Sequence, residues 1–219
     1  MNSFQKRKKD VLSKLDKSSK RSWDVKIVSL CEKINSLENF YTTSSCSGRI
    51  VLIVDNSKKG PGLFVNVWHE KINVEELKKS LEKIQKSDTL RVYPDKFSSK
   101  ISTKGNIKFK KKDQRSSIGL NLNIKFKQEP VILHVACESL EQSLDFLKKA
   151  REVGFKRGGI ISGGKRFVLE LIGTEKLEFP IISEGKILVE DEFLKLIVEK
   201  SNENLKKSFG KIERLKNIL

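Results

Sequence analysis

The sequence predicts an α+β fold: a mixed sheet with N-terminal helices and a long C-terminal helix. Three observations support this class. Apolar residues recur at helical spacing near both ends of the chain, whereas short alternating or continuous apolar runs fill its middle. Two pairs of segments also resemble each other, which suggests an internal duplication. Neither GxGxxG nor GxxxxGK[ST] occurs, so the Rossmann class is not expected.

The first predicted elements are two helices. Residues 4–15 place Phe4 and Val11 on one side and lysines on the other. Ser22 is the expected N-cap of a second helix, in which apolar residues recur from Val25 to Ile34.

Strands and a helix are expected next along the chain. In order, the predicted strands are 41–43, 50–54 and 63–68, and the predicted helix is 74–84. Residues 95–121 are rich in serine and lysine and are predicted to form a mobile loop or hairpin.

The second half repeats the strand-and-helix pattern. Strands are predicted at 120–127, 131–136, 160–161, 167–172 and 177–182. The run 131–136 is continuously apolar, so both of its faces are expected to be buried. Ser139 is the predicted cap of a helix that ends before Gly154, and the final helix is expected over 189–219.

The chain is predicted to be one domain, 1–219, and a further hypothesis is that it contains two pseudo-repeated halves around 41–90 and 120–184. Residues 63–69 and the following helix resemble 131–137 and the following helix, and 45–53 resemble 161–169. Chance similarity between short amphipathic patterns is the alternative explanation.

The net charge of +17 indicates a polyanionic partner, because a chain this basic repels itself. Nucleic acid, an acidic membrane surface and an acidic protein all satisfy that requirement. No apolar run approaches the ~20 residues of a spanning helix, and the basic first residues lack the apolar stretch of a signal peptide. Three widely separated cysteines favour neither a disulfide framework nor a zinc site, so a reducing cytoplasm is expected.

The most informative segment is a predicted turn of small, hydroxyl-bearing residues that ends in an arginine. Its backbone N–H groups are suited to form an anion-binding concavity, and the guanidinium is suited to a carboxylate or phosphate. An ordinary polar hairpin turn is the alternative. The predicted binding residues here are Ser44, Ser45, Cys46, Ser47, Gly48 and Arg49.

The sequence has only two histidines, His69 and His134, and they occupy equivalent places in the proposed repeats. Acid–base work or substrate orientation is the functional hypothesis, and simple packing is the alternative. No third ligand lies at a helpful spacing, so no metal site is expected.

Basic residues outside the turn are candidates for contacts to RNA. They are Lys108, Lys110, Lys111, Lys112 and Arg115 in the segment 95–121, together with Arg157. The lysine-rich terminal helix is a second candidate. The glycine-rich stretch 157–165 fits no phosphate-loop pattern, but a bend there would admit a ligand near Gly159 and Ser162.

Residues 42–50, which read TTSSCSGRI, resemble the signature of the wybutosine-synthesising methyltransferase family in its archaeal form. Further segments follow in the family's order: 19–24, 68–70, 129–135, 154–160, 177–180 and 212–215. Arg21 stands where the family pattern has glycine, and Ile172-Gly173 stands where many relatives have arginine and serine. The second departure bears on which variant of the substrate is bound.

The resemblance implies S-adenosylmethionine-dependent methylation of ring nitrogen N-4 in a wyosine-type guanosine beside the anticodon of phenylalanine tRNA. Arg49 with the serines of its turn is then a clamp for a carboxylate, and His69 or His134 accepts the acceptor nitrogen's proton. Trp68 or Tyr41 stacks on the tricyclic base. Glu129 lies in a matching segment and is taken as a further binding residue. A monomer is expected.

Two other functions fit the sequence. One is a non-enzymatic RNA-binding module, favoured by the charge and by the lack of a convincing nucleophile. The other is a scaffold whose terminal helix binds an acidic protein. Transfer of label from S-adenosylmethionine to tRNA distinguishes the enzyme from both.

Overall fold

The structure is a computed structural model that describes residues 3–14, 23–55, 63–86, 90–94, 116–118 and 123–219. Five helices lie within these ranges: α1 Ser3–Leu12, α2 Val28–Ser36, α3 Val74–Gln85, α4 Leu140–Glu152 and α5 Asp191–Ile218. The strands in the first part of the chain are β1 Phe40–Cys46, β2 Arg49–Val54, β3 Leu63–Trp68, β4 Leu90–Pro94 and β5 Ser116–Ile118. Those in the second part are β6 Ile124–Glu129, β7 Ile132–Cys137, β8 Arg157–Ser162, β9 Phe167–Ile172, β10 Leu177–Ser183 and β11 Lys186–Ile187.

The chain forms two compact units. Unit 1 comprises Met1–Gly48, Pro130–Glu175 and Asn204–Leu219, and unit 2 comprises Arg49–Glu129 and Lys176–Glu203. Unit 1 contains a four-stranded sheet in the order β1-β7-β9-β8. Unit 2 contains a seven-stranded sheet in the order β11-β10-β6-β2-β3-β4-β5.

The α+β class, the N-terminal helices and the long C-terminal helix are confirmed, but the single mixed sheet is wrong. Every strand pairing within the described residues is antiparallel, and the strands form two sheets. The two sheets separate at the turn predicted for residues 44–48. There β1 pairs with β7, whereas β2 pairs with β3 and β6.

The core of unit 1 lies on one face of its sheet. Leu133, Val135, Leu169 and Leu171 from the sheet pack with side chains of α2, α4 and the end of α5. The opposite face is covered over Tyr41 and Ala136 by Phe4 of α1. The prediction that both faces of β7 are buried is therefore only partly correct, because His134 on this second face is half-buried.

Helix boundaries in unit 1 follow from local sequence in one case and not in another. Ser139 forms the expected capping box with Gln142 at the start of α4, and Gly154 follows the helix with a φ of 105°. In contrast, α2 begins only at Val28, and Val25 is 80% exposed outside it. Ser22, the cap expected there, lies outside the described residues.

The core of unit 2 is organised by aromatic rings. Phe126 of β6 stacks on Phe179 of β10, with ring centroids 5.2 Å apart. Phe193 of α5 meets Phe179 edge-on at 5.5 Å, which attaches the first turn of α5 to the sheet. Helix α3 begins with a capping box between Asn73 and Glu76.

Two sequence hypotheses stay predictions: the single domain over 1–219 and the internal duplication. In each unit, one strand precedes a helix with a capping box: β3 precedes α3, and β7 precedes α4. Strand β3 pairs with β2 as well as with β4, and β7 pairs with β9 as well as with β1; the pairings β3–β2 and β7–β9 are those that the proposed repeats require. In the segment 95–121, predicted to be a loop or hairpin, β5 pairs with β4, and 95–115 lie outside the described residues.

No helix in the described ranges has the length and apolar character to cross a membrane.

Glu178 should make the stability of unit 2 sensitive to acid. Hydrogen bonds from Lys176 and Lys127 lower the pKa of its carboxyl from 4.5 to about 2. Because the pKa is lower in the folded state, the carboxylate stabilises the fold above about pH 4.5, and this contribution disappears as the pH falls toward 2. We expect Glu178→Gln to cost about 1 kcal/mol or less at pH 7 and to flatten the pH dependence of the unfolding free energy below pH 4.5, as measured by urea denaturation.

The exposed Glu199 in the same unit provides the matched control. Glu199→Gln removes the same charge and should retain the acid sensitivity of the wild type. An unchanged pH dependence in Glu178→Gln would show that these ion pairs do not contribute.

Candidate active site

Three neighbouring strands of unit 1 bring a serine, a histidine and a glutamate into one hydrogen-bonded row. Ser44 of β1, His134 of β7 and Glu170 of β9 lie directly opposite one another in the antiparallel register. Ser44 Oγ is 2.9 Å from His134 Nδ1, and His134 Nε2 is 2.9 Å from Glu170 Oε1. The imidazole is 23% exposed and the carboxylate 32% exposed, so a ligand can reach the row. We call this set the Ser44–His134–Glu170 row.

A neutral imidazole satisfies both contacts in a single tautomer. In that tautomer Nε2–H donates to Glu170, and Nδ1 accepts the hydroxyl proton of Ser44. The hydroxyl oxygen can then accept a proton from a bound molecule while its own proton moves to Nδ1. The Glu170 carboxylate stabilises the imidazolium that results. The row is therefore suited to general-base chemistry.

A β-bulge precedes Ser44 and is anchored by α2. The register of β1 against β7 shifts between Thr42 and Ser44, which leaves the exposed Thr43 as the extra residue. Asn35 of α2 accepts the backbone N–H of Thr42 at 2.8 Å and donates to its hydroxyl at 3.1 Å. The amide side chain thus fixes the backbone just before the bulge, at the position that sets Ser44 opposite His134.

Two glycines of β8 border the row at its other end. Gly159 lies opposite Glu170, and a Cβ added there would meet no heavy atom within 4 Å. Gly158 has a φ of 111°, and a Cβ there would overlap the carbonyl oxygen of Glu170. Only glycine at 158 therefore allows β8 to pair with β9 at this point, and Gly159 leaves open space beside the carboxylate.

The anion cradle expected from the serines of residues 44–48 is not formed as predicted. Ser44, Ser45 and Cys46 belong to β1, so successive side chains point to opposite faces. Ser45 shares the face of buried Leu133, and its hydroxyl is buried without a hydrogen-bond partner among the described residues.

The turn itself is limited to Ser47 and Gly48. The backbone N–H and the hydroxyl of Ser47 both donate to the carboxylate of Asp24, at 3.0 and 3.3 Å. This N–H group thus already has an anionic partner, supplied by the chain itself. Gly48 has a φ of 102°, which allows the chain to leave β1.

Arg49 belongs to unit 2, where its guanidinium is held in a fixed plane. Its Nε donates to Glu129 Oε2 at 2.5 Å, and the two residues are paired across β2 and β6. Its Cζ lies 4.6 Å from the ring centroid of Phe64. Glu129, predicted to bind a ligand, is thus the partner of Arg49. The arginine side chain is 20% exposed.

The other predicted residues are spread over the fold. Trp68 ends β3 and is half-buried, and His69 follows it in a bend of unit 2, so the two histidines belong to different units. The side-chain amide of Asn202 holds the segment after His69 through two hydrogen bonds to the backbone of Ile72. Ser162 and Arg157 are exposed on β8. The predicted RNA-binding residues Lys108, Lys110, Lys111, Lys112 and Arg115 lie outside the described residues.

Glu170 is the member of the row that sequence reasoning missed. A signal for it was present, because it is the only charged residue in the otherwise apolar strand Phe167–Ile172. A carboxylate in such a strand is costly unless it is hydrogen-bonded, so a lone glutamate there indicates a specific partner.

The antiparallel sheets and the proton-accepting row define an α+β protein outside the parallel-sheet nucleotide-binding folds, with a site suited to base-assisted chemistry. The chain belongs to the family described as Methyltransferase TYW3, whose profile matches residues 6–219. It is therefore a methyltransferase that requires a methyl donor, and the resemblance noted in the sequence is confirmed. Family membership favours an enzyme over the RNA-binding module and the scaffold.

Named relatives from archaea and animals match nearly the whole chain. The tRNA(Phe) 7-((3-amino-3-carboxypropyl)-4-demethylwyosine(37)-N(4))-methyltransferase of Archaeoglobus fulgidus is 31% identical over 208 residues, which are 94% of this chain and 87% of the relative. The tRNA wybutosine-synthesizing protein 3 homolog of Mus musculus is 30% identical, over 99% of this chain and 72% of the relative. A solved structure of a Pyrococcus horikoshii protein is similar with a TM-score of 0.76 and 26% identity, and it covers 98% of this chain and 95% of that one.

The two glycines of β8 should differ sharply in their tolerance of a methyl group. We expect Gly158→Ala to destabilise the fold by about 2 kcal/mol or more, because the positive φ and the overlap with a backbone carbonyl cannot be relieved by side-chain motion. Gly159→Ala should stay within about 0.5 kcal/mol of the wild type, since the added methyl group meets open space. Urea denaturation of both variants measures this contrast, and equal losses of stability would contradict the close approach of β8 to Glu170.

Proposed function

We propose that the protein is an S-adenosylmethionine-dependent methyltransferase that modifies N-4 of a wyosine-type guanosine beside the anticodon of phenylalanine tRNA. The names of the archaeal relatives describe that position on tRNA(Phe), and the similarity spans most of their length. The charge of +17 suits a polyanionic substrate. The observation that carries the chemistry is the Ser44–His134–Glu170 row.

Methylation of a ring nitrogen requires that the nitrogen lose its proton. We assign this step to Ser44 and His134. The hydroxyl oxygen of Ser44 accepts the N–H proton as its own proton passes to His134 Nδ1, and Glu170 stabilises the imidazolium through Nε2–H. One proton is thus transferred to the imidazole for each methyl group gained by the nitrogen. No covalent intermediate with the protein is needed.

S-adenosylmethionine supplies an electrophilic methyl group on a sulfonium, and its amino-acid end carries a carboxylate. Arg49 is the residue that we assign to a carboxylate. Glu129 engages Nε and thereby fixes the orientation of the planar guanidinium, whose geometry suits a carboxylate. Stacking on Phe64 keeps the fork planar and oriented. The 3-amino-3-carboxypropyl group in the relatives' names offers a second carboxylate of the same chemistry.

Further assignments complete the proposal. Trp68 is the residue assigned to stacking on the tricyclic base, because Tyr41, the other candidate, is fully buried under Phe4. Gly159 and Ser162 of β8 are assigned to substrate binding. His69 orients the substrate. We place the protein in the cytoplasm as a monomer without a bound metal.

Substitution of the row tests the proton-transfer step. Ser44→Ala and His134→Asn should each lower kcat about 10²- to 10⁴-fold, because the acceptor nitrogen loses its general base. Transfer of label from S-adenosylmethionine to hypomodified phenylalanine tRNA measures the rate. Thr43→Ala is the matched control, since Thr43 is exposed in the same strand and outside the row. Wild-type rates in the first two variants would refute the assignment.

Glu170 allows a sharper test, because its role is electrostatic. Glu170→Gln removes the negative charge that stabilises the imidazolium of His134. The maximal rate should then fall about tenfold or more, because proton transfer to His134 becomes less favourable. Rescue of the rate is expected in Glu170→Asp but not in Glu170→Ala. A wild-type rate in Glu170→Gln would show that the carboxylate does not stabilise the imidazolium.

Arg49→Lys tests the carboxylate assignment. It retains the charge but loses the two-pronged geometry, so methyl transfer should fall roughly tenfold or more while affinity for tRNA changes little. The exposed Arg151 of α4 provides the control, and Arg151→Lys should have the wild-type rate. Unaltered turnover in Arg49→Lys would show that no carboxylate is bound there.

A further inference from the structure

The β8–β9 hairpin of unit 1 carries four cations and one acidic residue, Glu170, which is hydrogen-bonded to His134. No acidic residue occurs between Glu152 and Glu170, and the hairpin contains Lys156, Arg157, Lys165 and Arg166. Within the described part of the chain, none of these four cations forms an ion pair. The hairpin is therefore a segment of concentrated positive potential.

The terminal helix, expected from sequence to be a second RNA contact, has part of its charge compensated, although its exposed Lys206 and Lys207 form no ion pair within the described part of the chain. Three of its lysines form ion pairs with a glutamate three residues away. The pairs are Lys195–Glu192 at 2.9 Å, Lys200–Glu203 at 3.2 Å and Lys216–Glu213 at 2.6 Å. These lysines thus contribute less to the potential than those of the hairpin.

The hairpin also has the shape and the location of a docking surface. β8 is an edge strand of its sheet, and Arg157, Ile161 and Ser162 are exposed along it. Gly159 has open space where a side chain would be, so another chain can approach the backbone closely. Because Gly159 lies opposite Glu170, anything bound along β8 lies next to the Ser44–His134–Glu170 row.

From this juxtaposition, we infer that the β8–β9 hairpin binds the phosphate backbone of single-stranded RNA and holds it next to the row. The inference rests on the proposed function, since it identifies the strand as the anticodon loop that carries the methylated base. When these cations neutralise phosphates, the counterions condensed on the nucleic acid are released, which favours binding of a nucleic acid strand. The glycine-rich edge allows the close approach that a flexible strand requires.

A charge-matched pair of triple variants tests the inference. The first combines Lys156→Ala, Arg157→Ala and Lys165→Ala, and leaves Arg166 in place because its Nη1 donates to the Tyr41 hydroxyl at 2.8 Å. The second combines Lys195→Ala, Lys200→Ala and Lys216→Ala, which removes the same charge from paired positions. The probe is the anticodon stem–loop of phenylalanine tRNA, and its affinity is measured as a function of salt concentration.

The hairpin variant should reduce the log–log salt slope by about 2, since each lost single-strand phosphate contact contributes about 0.7. Its KM for tRNA should rise about tenfold or more while kcat at saturation is retained. The control should change the slope by less than about 0.7. If the triple variant does not fold, Lys165→Glu alone in the exposed turn should weaken binding more than Lys165→Ala.

The outcomes separate this inference from the proposed function. Methyl transfer by the wild type, combined with an unchanged slope and KM in the hairpin variant, would overturn the inference and leave the proposed function intact. A reduced slope without methyl transfer by the wild type would support RNA docking and refute the proposed function. Loss of binding to phosphatidylserine vesicles with unchanged RNA binding would assign the hairpin to a membrane surface and overturn the inference.

Discussion

The hydrogen bonds of His134 to Ser44 and Glu170 exist only in one antiparallel register of β1, β7 and β9. A slip of one residue in any of these strands would send a side chain of the row to the opposite face. The register is held from the core side, where Leu133, Val135, Leu169 and Leu171 are fully buried. Burial of these four positions stabilises the fold, and their alternation with His134 and Glu170 presents the polar groups to the other face. The packing that makes unit 1 stable thus also determines the geometry of its chemistry.

The polar row is tolerated in an apolar sheet because its members satisfy one another. A carboxylate and an imidazole on half-buried strands would each lose solvation, and hydrogen bonds at 2.9 Å compensate for part of that loss. Asn35 and Gly158 act on the backbone around the row. Asn35 accepts a hydrogen bond from the backbone N–H of Thr42, just before the bulge. Gly158 allows β8 to approach β9 closely enough to pair with it. The precision of the row therefore depends on backbone contacts made by residues that carry no chemistry themselves.

The sequence predicted much of the local structure and less of its assembly. The capped start of α4 and the full span of β3 were predicted because their signals lie within a few neighbouring residues. The pairings of β1 with β7 and of β2 with β6 were not predicted, because they are decided by distant strands that bury the same face. For the same reason the segment 44–48 was interpreted as a turn, although strand pairing continues to Cys46. His134 was recognised as a candidate, whereas Glu170 becomes its partner only through a register that the sequence does not display.

Total charge and the placement of charge have different consequences in this molecule. The value of +17 indicates a polyanionic partner but does not locate its site. The ion pairs help to locate that site, because they distinguish lysines whose charge is compensated by an acidic neighbour from lysines whose charge is not. On one face of the unit 2 sheet, Lys125 pairs with Asp55, and Lys127 pairs with Glu178. These two lysines are thus paired with carboxylates, whereas Lys156, Arg157, Lys165 and Arg166 of the β8–β9 hairpin form no ion pair within the described residues. In a basic protein of this kind, a polyanionic partner is therefore attracted most strongly to cations that form no ion pair. Here such cations lie on the hairpin that borders the Ser44–His134–Glu170 row.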